Sequence, residues 1–277
     1  MSDAEPSALR GRDLDLAYHG DAVVHEASVE VHQGRVTALV GPNGSGKSTL
    51  LRALAGLHRP SAGRVELADG ADALALSRRD FARRVTLLAQ SRPTPTGISV
   101  QDVVGFGRHP YRGRWRAADP EGAAAVAHAM RVTGVEQLAD RSADELSGGQ
   151  LQRVWVATCL AQQTGVLLLD EPTTHLDLRY QVELLDLVRD LADQHQVAVG
   201  LVLHDLDQAA GVADVLALLD QGRVRAVGPP DEVLTSERLS ETYGIQVEVD
   251  VDPVTGALRT RAVGRHATRR AGVAIGN

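Results

Sequence analysis

One octapeptide constrains this chain more than any other feature. Residues 41–48 read Gly-Pro-Asn-Gly-Ser-Gly-Lys-Ser, which fits the pattern G-x-x-x-x-G-K-[ST]. The apolar run Val36–Val40 precedes it and predicts a strand, while Leu50, Leu51 and Leu54 follow at helical spacing. Between a strand and a helix, such a loop can hold a polyphosphate with successive backbone N–H groups and the positive end of the helix. A plain glycine-rich turn is the alternative, but it does not account for the strand and helix, so we predict a nucleoside triphosphate site.

Within this loop, the residue types have separate physical tasks. The glycines permit backbone angles and a close approach that a Cβ would block. Lys47 would reach the β- and γ-phosphates, and the Ser48 hydroxyl would bind Mg²⁺. The predicted nucleotide contacts in this loop are Gly41, Pro42, Asn43, Gly44, Ser45, Gly46, Lys47, Ser48 and Thr49.

A pair of carboxylates follows a second apolar run. Val166–Leu169 is continuously apolar, as in a strand buried on both faces, and Asp170 and Glu171 come at its carboxyl end. Asp170 is predicted to hold Mg²⁺ beside Ser48, and Glu171 to polarise the attacking water as general base. An acidic strand end before a turn is common in loops, but the phosphate-binding loop elsewhere in the chain favours the catalytic interpretation.

Composition and patterning narrow the remaining possibilities. Strands alternate with helices along the chain, which predicts a parallel α/β sheet. The net charge of −7 argues against bulk binding to nucleic acid, and we expect no nucleic-acid partner. No apolar run approaches the roughly 20 residues that a membrane-spanning helix needs. The single cysteine, Cys159, excludes an internal disulfide and a Cys-cluster metal site, and we interpret it as a small core residue.

Further motifs connect the chain with a known family. Leu146–Gln150 reads Leu-Ser-Gly-Gly-Gln and resembles the signature of ABC-type ATPases. The other motifs of that family appear in order as Gln90 (Q-loop), Asp177 (D-loop) and His204 (switch histidine). The resemblance covers about residues 8–250. It implies an α/β P-loop NTPase core with a mixed, largely parallel sheet, an N-terminal antiparallel β part and an α-helical subdomain inserted at about 91–160; residues 251–277 would be a basic C-terminal extension.

The resemblance also implies roles for individual residues. Gln90 would be a catalytic residue and would bind Mg²⁺ together with Ser48 and Asp170. His204 would also be catalytic and would orient the γ-phosphate and the attacking water. Tyr18 would stack on adenine, although a surface tyrosine at a strand end is the alternative. Two copies would pack head to tail around two ATP molecules, so that signature residues of one copy contact the nucleotide of the other. The additional nucleotide contacts implied are Ser147, Gly148, Gly149, Gln150 and Asp177.

The stretch Val103–Tyr111 resembles ABC importers for ferric siderophores, haem or cobalamin. Residues 106–116 hold three of the eight aromatic residues of the chain and four arginines. We therefore expect an exposed basic surface near Phe106–Trp115 on which an integral membrane permease docks, with a substrate-binding protein acting indirectly. A solvated loop with some buried rings is the alternative. The residues concerned are Phe106, Arg108, Tyr111, Arg112, Arg114, Trp115 and Arg116.

Ferric siderophore import is the expectation for the cargo, with haem and cobalamin as alternatives. The ATPase would then be a peripheral protein at the cytoplasmic face of the cell membrane, held there by the permease. A non-transport ABC ATPase of iron–sulfur cluster assembly and the motor of an exporter stay open as other classes. Pro253–Asn277 has five arginines and no acidic residue, and we expect a disordered end there without assigning it a function.

Overall fold

The structure is a computed structural model that describes residues 7–18, 20–112 and 119–264. The strands are β1 (Ser7–Tyr18), β2 (Asp21–His32), β3 (Val36–Val40), β4 (Ala62–Leu67), β5 (Val85–Leu88), β6 (Val166–Asp170), β7 (Ala198–Val202), β8 (Val215–Asp220), β9 (Arg223–Gly228), β10 (Val247–Val251) and β11 (Leu258–Ala262). The α-helices are α1 (Lys47–Leu54), α2 (Arg78–Ala82), α3 (Val100–Gly105), α4 (Gly122–Val132), α5 (Gly148–Ala161), α6 (Leu178–Asp193), α7 (Leu206–Val212), α8 (Pro230–Val233) and α9 (Ser236–Tyr243).

A six-stranded sheet in the order β5-β6-β7-β3-β8-β9 forms the centre of the structure. Its first five strands run parallel and β9 pairs antiparallel with β8, so the predicted mixed, largely parallel sheet is confirmed. Every residue of β3, β6 and β7 is buried, which explains why these strands are continuously apolar. Because these three strands are neighbours and parallel, their carboxyl ends meet at one edge of the sheet.

A second sheet, in the order β2-β1-β4, is antiparallel and lies over one face of the core. Its alternating apolar side chains pack with α1 and with residues of the central sheet in a single buried cluster. The strands β1 and β2 supply Leu14, Leu16, Ala27, Val29 and Val31 to this cluster. The helix that follows the phosphate-binding loop is thus held between two sheets.

The helical insertion has an apolar core of its own. α3, α4 and α5 contribute Val103, Val104, Ala129, Met130 and Val154 to one buried cluster. Ser99 caps α3 by accepting a hydrogen bond from the backbone N–H of Asp102. No helix in the described ranges combines the length and the apolar character that crossing a bilayer requires.

The expectation of a disordered end from Pro253 is wrong for residues 253–264. β10 and β11 form an antiparallel hairpin with Val247 opposite Ala262, and the hairpin crosses the predicted boundary at residue 250. Its order has a physical cause, since Val247 is buried and Val249 and Leu258 pack against the core on the α6 side of the sheet. Arginines 265, 269 and 270 lie outside the described residues.

Candidate nucleotide-binding site

The loop between β3 and α1 has a backbone that requires glycine at two positions. Gly41 has φ 141° and Gly46 has φ 98°, both in the region that L side chains rarely adopt. A Cβ on Gly41 would lie 2.0 Å from the backbone oxygen of Leu219, and one on Gly46 would lie 2.8 Å from a methyl group of Val24. The loop is therefore pressed against β8 and β2, and only glycine permits that approach.

Lys47 is the first residue of α1 and turns back into the loop. Its Nζ donates hydrogen bonds to the backbone oxygens of Gly41 and Pro42, each at 2.8 Å. Burial lowers the pKa of Lys47, and the charges of Glu171 and Asp170 oppose that shift. The amino group thus lies where the loop meets the two carboxylates.

One pocket collects residues from three of the predicted motifs. Its volume is about 170 Å³, and Lys47, Ser48, Glu171 and His204 all line it. They follow β3, β6 and β7, the three neighbouring strands of the parallel sheet. The other lining residues are Val23, Asn43, Gly44, Gly46 and Thr49. The topology therefore explains how motifs that are far apart in the chain come to face one cavity.

Asp170 ends β6 with a fully buried side chain. Its Oδ2 lies 3.4 Å from Nη2 of Arg52, while its buried Oδ1 makes no hydrogen bond within the described part of the chain. An unpaired buried carboxylate oxygen is costly unless a cation or a donor satisfies it. Because Mg²⁺ prefers oxygen ligands, the donor set of Asp170 Oδ1 and the Ser48 hydroxyl fits that ion.

Glu171 brings the three predicted catalytic residues together. Nε2 of Gln90 donates to Oε2 of Glu171, and Nε2 of His204 lies 2.6 Å from its Oε1. Thr174 adds a hydroxyl donor to Oε2 at 3.3 Å. The backbone of Glu171 has φ 52°, a left-handed conformation that costs on the order of 1 kcal/mol in a residue with a Cβ. The surrounding contacts hold the carboxylate in a single orientation despite that strain.

Two residues of the signature segment, Ser147 and Gly149, have structural roles within the subunit. Ser147 caps α5 in a capping box with Gln150, in which each side chain bonds the other's backbone. A Cβ on Gly149 would lie 2.3 Å from the ring of Tyr180, so this glycine allows α6 to approach α5. A Cβ on Gly148 would meet nothing within 4 Å. None of the residues lining the pocket at Lys47 belongs to the signature.

Two further predicted contacts lie away from that pocket. Asp177 caps α6 by accepting a hydrogen bond from the backbone N–H of Tyr180 at 3.1 Å. Tyr18, at the end of β1, is 39% exposed, and its ring centroid lies 4.5 Å from that of His58. The role of Tyr18 in adenine binding stays a prediction.

The prediction of an exposed basic surface is wrong for Arg108, whereas Tyr111 is half-buried. Arg108 is only 1% exposed; its Nε and Nη2 donate to the two carboxylate oxygens of Asp119 at 2.8 and 2.9 Å. The ring of Tyr111 lies 3.9 Å below the guanidinium, and its hydroxyl donates to the backbone oxygen of Gln162. Arg108 is buried because Asp119 and the end of α5 supply its partners.

Phe106 differs from these neighbours, since it is 48% exposed. Arg112 is exposed as well. The predicted contacts at Arg114, Trp115 and Arg116 lie outside the described residues.

The structure adds two residues that the sequence analysis missed. Arg52 faces Asp170 from α1, and its position four residues after Ser48 places it one helical turn beyond the phosphate-binding loop. Thr174 contacts Glu171 from three residues further along the chain. The spacing could have indicated Arg52, whereas the Thr174 contact depends on the conformation of the loop after β6.

Burial raises the pKa of the Cys159 thiol to about 11. The thiol is buried on α5, in agreement with its interpretation as a core residue.

Comparison with known proteins decides the family. The family model described as ABC transporter matches residues 24–174, which is more than half of the chain. The chain belongs to the ABC transporter family. It is an ATP-binding subunit and an ATPase, as the motifs predicted.

Individual members of the family resemble the chain over nearly its whole length. The ferric enterobactin transport ATP-binding protein FepC of Escherichia coli (strain K12) is 44% identical over 94% of this chain and 95% of its own. The hemin import ATP-binding protein HmuV of Bordetella pertussis (strain Tohama I / ATCC BAA-589 / NCTC 13251) is 42% identical over 88% of this chain and 95% of its own. A solved structure of a metal-chelate type ABC transporter in an inward-facing conformation matches with a TM-score of 0.79 and 28% identity, over 93% of this chain and 97% of that one.

Proposed function

We propose that this ABC ATPase hydrolyses ATP to drive import of a ferric siderophore through a separate membrane permease. The single observation that carries the ATPase part is the pocket that Lys47, Ser48, Glu171 and His204 line together. The import part and the cargo are supported by relatives whose names describe ferric enterobactin transport and hemin import. Haem is therefore the second candidate cargo.

In hydrolysis, some residues of the pocket bind the nucleotide and another accepts a proton. Lys47 and the loop amides bind the polyphosphate of ATP, and Ser48 and Asp170 hold Mg²⁺, with Gln90 as the further ligand. The ion supplies charge that offsets the negative charge of the phosphates. Glu171 accepts a proton from the attacking water, a role typically worth about 10²–10⁴-fold in rate. His204, at 2.6 Å from Glu171, orients that carboxylate together with the γ-phosphate.

A second copy of the chain completes the site in this proposal. The signature residues Ser147, Gly148, Gly149 and Gln150 contact the γ-phosphate held by the partner copy, and Asp177 lies at the same junction. Gly148 is the first residue of α5, and a Cβ there would meet nothing within 4 Å among the described residues, so the backbone at the start of this helix is open to a ligand. The exposed N-terminus of α5 adds a positive dipole end that favours an anion.

Replacement of Ser147 by alanine tests the role of the second copy. We expect ATP hydrolysis to fall at least tenfold, on the order of a lost oxyanion-type donor, while ATP binding to the monomer stays at the wild-type level. The lost helix cap will lower the unfolding free energy by about 1 kcal/mol, which a denaturation curve measures separately. Ser142→Ala, on the same subdomain, is the matched control. Loss of monomer binding in S147A would contradict a contact made across the dimer.

The permease docks on the helical subdomain near Phe106–Trp115 in this proposal, with the exposed ring of Phe106 in the contact. The subunit is thereby held at the cytoplasmic face of the membrane, and a substrate-binding protein delivers the cargo to the permease without touching this chain. Family membership supports a permease partner.

Uptake by cells whose own copy of the gene is deleted tests the cargo. Wild-type protein or the E171Q variant is returned to these cells, and uptake of labelled ferric siderophore, haem and cobalamin is measured. We expect only the wild type to restore ferric siderophore uptake. Restoration of haem uptake alone would assign the cargo to haem. Unchanged uptake of all three, with reduced activity of iron–sulfur enzymes, would favour the non-transport class.

A further inference from the structure

Helix α7 begins two residues after His204, so its position determines where the histidine lies. The helix has only seven residues, and only Ala209 and Val212 among them are buried. Leu206 and Ala210 are partly buried against the same apolar cluster. Because a helix this short is not stable alone, the position of its first turn depends on this packing and on contacts from neighbouring elements.

The terminal hairpin supplies one such contact. Asp207, in the first turn of α7, accepts two hydrogen bonds from Thr260 of β11. The backbone N–H of Thr260 lies 2.7 Å from Oδ1 of Asp207, and the Thr260 hydroxyl lies 2.8 Å from the same oxygen. Bonds to a charged acceptor are stronger than bonds between neutral groups.

The opposite side of the same turn is held by α6. Nε2 of Gln208 donates to Oε1 of Gln181 at 2.7 Å, and the backbone N–H of Gln208 donates to Oδ1 of Asp205 at 2.9 Å. Asp205 directly follows His204 in the chain. The first turn of α7 is thus held between α6 and β11.

The hairpin is itself anchored well enough to act as a support. Val247 of β10 is buried, and the hydroxyl of Ser240 on α9 accepts a hydrogen bond from its backbone N–H at 2.9 Å. Leu258 of β11 packs against the same apolar cluster that contains Ala209 and Val212. Movement of β11 relative to α7 would therefore disturb a shared core.

We propose that the hairpin β10–β11 holds the switch histidine in its hydrolytic position through the contact between Thr260 and Asp207. This inference rests on the role of His204 in the proposed function. Asp207 and Thr260 are positioning residues, because neither lines the pocket that contains Lys47 nor the adjoining one beside Glu171 and His204. In this proposal the C-terminal extension contributes to ATP hydrolysis by positioning His204.

Paired substitutions test the contact without removing the hairpin, whose deletion would take Val247 out of the buried core and could unfold the chain. We expect Asp207→Ala to lower kcat about tenfold with the KM for ATP unchanged, because a small displacement of a catalytic group slows the reaction without affecting binding at the phosphate loop. Asp207→Asn keeps the acceptor oxygen and should restore most of the rate. Thr260→Val should lower kcat about threefold, and Thr260→Ser should not.

Arg259→Ala is the matched control on the same strand. It removes an ion pair with Asp252 inside the hairpin and leaves the contact to α7 intact. We expect its kcat to equal that of the wild type. A loss in R259A as large as in D207A would show a general effect of loosening the hairpin and would overturn the specific contact.

Two readouts separate positioning from loss of structure. Hydrogen exchange of the amides of residues 206–209 should speed up in D207A and not in D207N. In a double-mutant cycle, D207A should have no further effect when His204 is already alanine. An undiminished loss in the H204A background, or a wild-type kcat in D207A, would overturn the inference. A wild-type rate in H204A itself would instead contradict the proposed function.

Discussion

The phosphate-binding loop and the segment 106–111 both have distinctive sequence patterns. The loop has the conformation that its sequence predicts, whereas part of the prediction for the segment is wrong. The loop 41–48 has the backbone that its glycines predict, and Lys47 and Ser48 line the nucleotide pocket. In the segment 106–111, Arg108 was expected on a surface and is instead buried, with its guanidinium packed against the ring of the half-buried Tyr111. Phe106 is exposed as predicted.

The two regions differ in how far along the chain the residues that determine their structure lie. The loop works through its own backbone N–H groups and glycine conformations, which neighbouring residues determine. The burial of Arg108 depends on Asp119 and on the carbonyl oxygen of Ala161, which lie 11 and 53 residues further along the chain. A charged side chain is buried when such partners compensate it, and a local pattern does not show them.

The largest expected effect tests the nucleotide pocket. Glu171→Gln removes the base and keeps the side-chain volume, so hydrolysis should fall at least about a hundredfold while ATP binding persists. We also expect ATP to trap this variant as a closed dimer, which size-exclusion chromatography measures. Near-normal turnover would remove Glu171 as the general base, and the sequence interpretation of this edge of the sheet would fail with it.

The next prediction sets Arg108 against Phe106. Arg108→Ala leaves the carboxylate of Asp119 without its partner, and we expect the unfolding free energy to fall by about 3 kcal/mol. Phe106→Ala should change the unfolding free energy by less than about 1 kcal/mol but weaken binding to the permease. Urea denaturation and co-purification with the permease measure the two effects. Equal losses of unfolding free energy in both variants would contradict the distinction between the buried Arg108 and the exposed Phe106.

Tyr18 gives a smaller effect on nucleotide affinity. If its ring stacks on adenine, Tyr18→Ala should weaken ATP binding by about 1–3 kcal/mol. Tyr18→Phe keeps the ring and should bind ATP as the wild type does. Equilibrium binding of a fluorescent ATP analogue measures both variants. An unchanged affinity in Y18A would limit the ring to its packing against His58.

The smallest effect is the acid dependence of the Arg108–Asp119 pair. The hydrogen bond from Arg108 lowers the pKa of Asp119 in the folded chain. A lowered pKa means that the pair stabilises the fold above the ordinary aspartate value of about 3.9 and that this contribution is lost as the pH falls through the folded-state value. The stability difference between wild type and Asp119→Asn should therefore be constant above about pH 5 and shrink below about pH 4. A difference that grows on acidification would contradict the pairing.

Most of the strands and helices could be predicted, because a strand or helix that is buried on one or two faces has apolar residues at a characteristic spacing. β3 occupies Val36–Val40 as predicted, and β6 begins at Val166, where the apolar run predicted a strand. The hairpin β10–β11 escaped prediction, since its short strands carry many charges and the arginines suggested a solvated tail. Its charges pair across the hairpin, as between Glu248 and Arg261, while a few apolar residues fix it to the core.

The candidate site was predictable as a set of residues but not as an arrangement. The polyphosphate loop and the acidic strand end were identifiable from the residues alone, because each motif encodes its own backbone or charge. The assignment of Gln90 and His204 to the same site rested on the resemblance to ABC-type ATPases. The contacts of Gln90 and His204 with Glu171, the position of Arg52 beside Asp170 and the burial of Arg108 appear only in the tertiary structure. Those outcomes depend on which strand ends adjoin in the sheet and on which distant partners meet a charge, and neither is a property of a local run of residues.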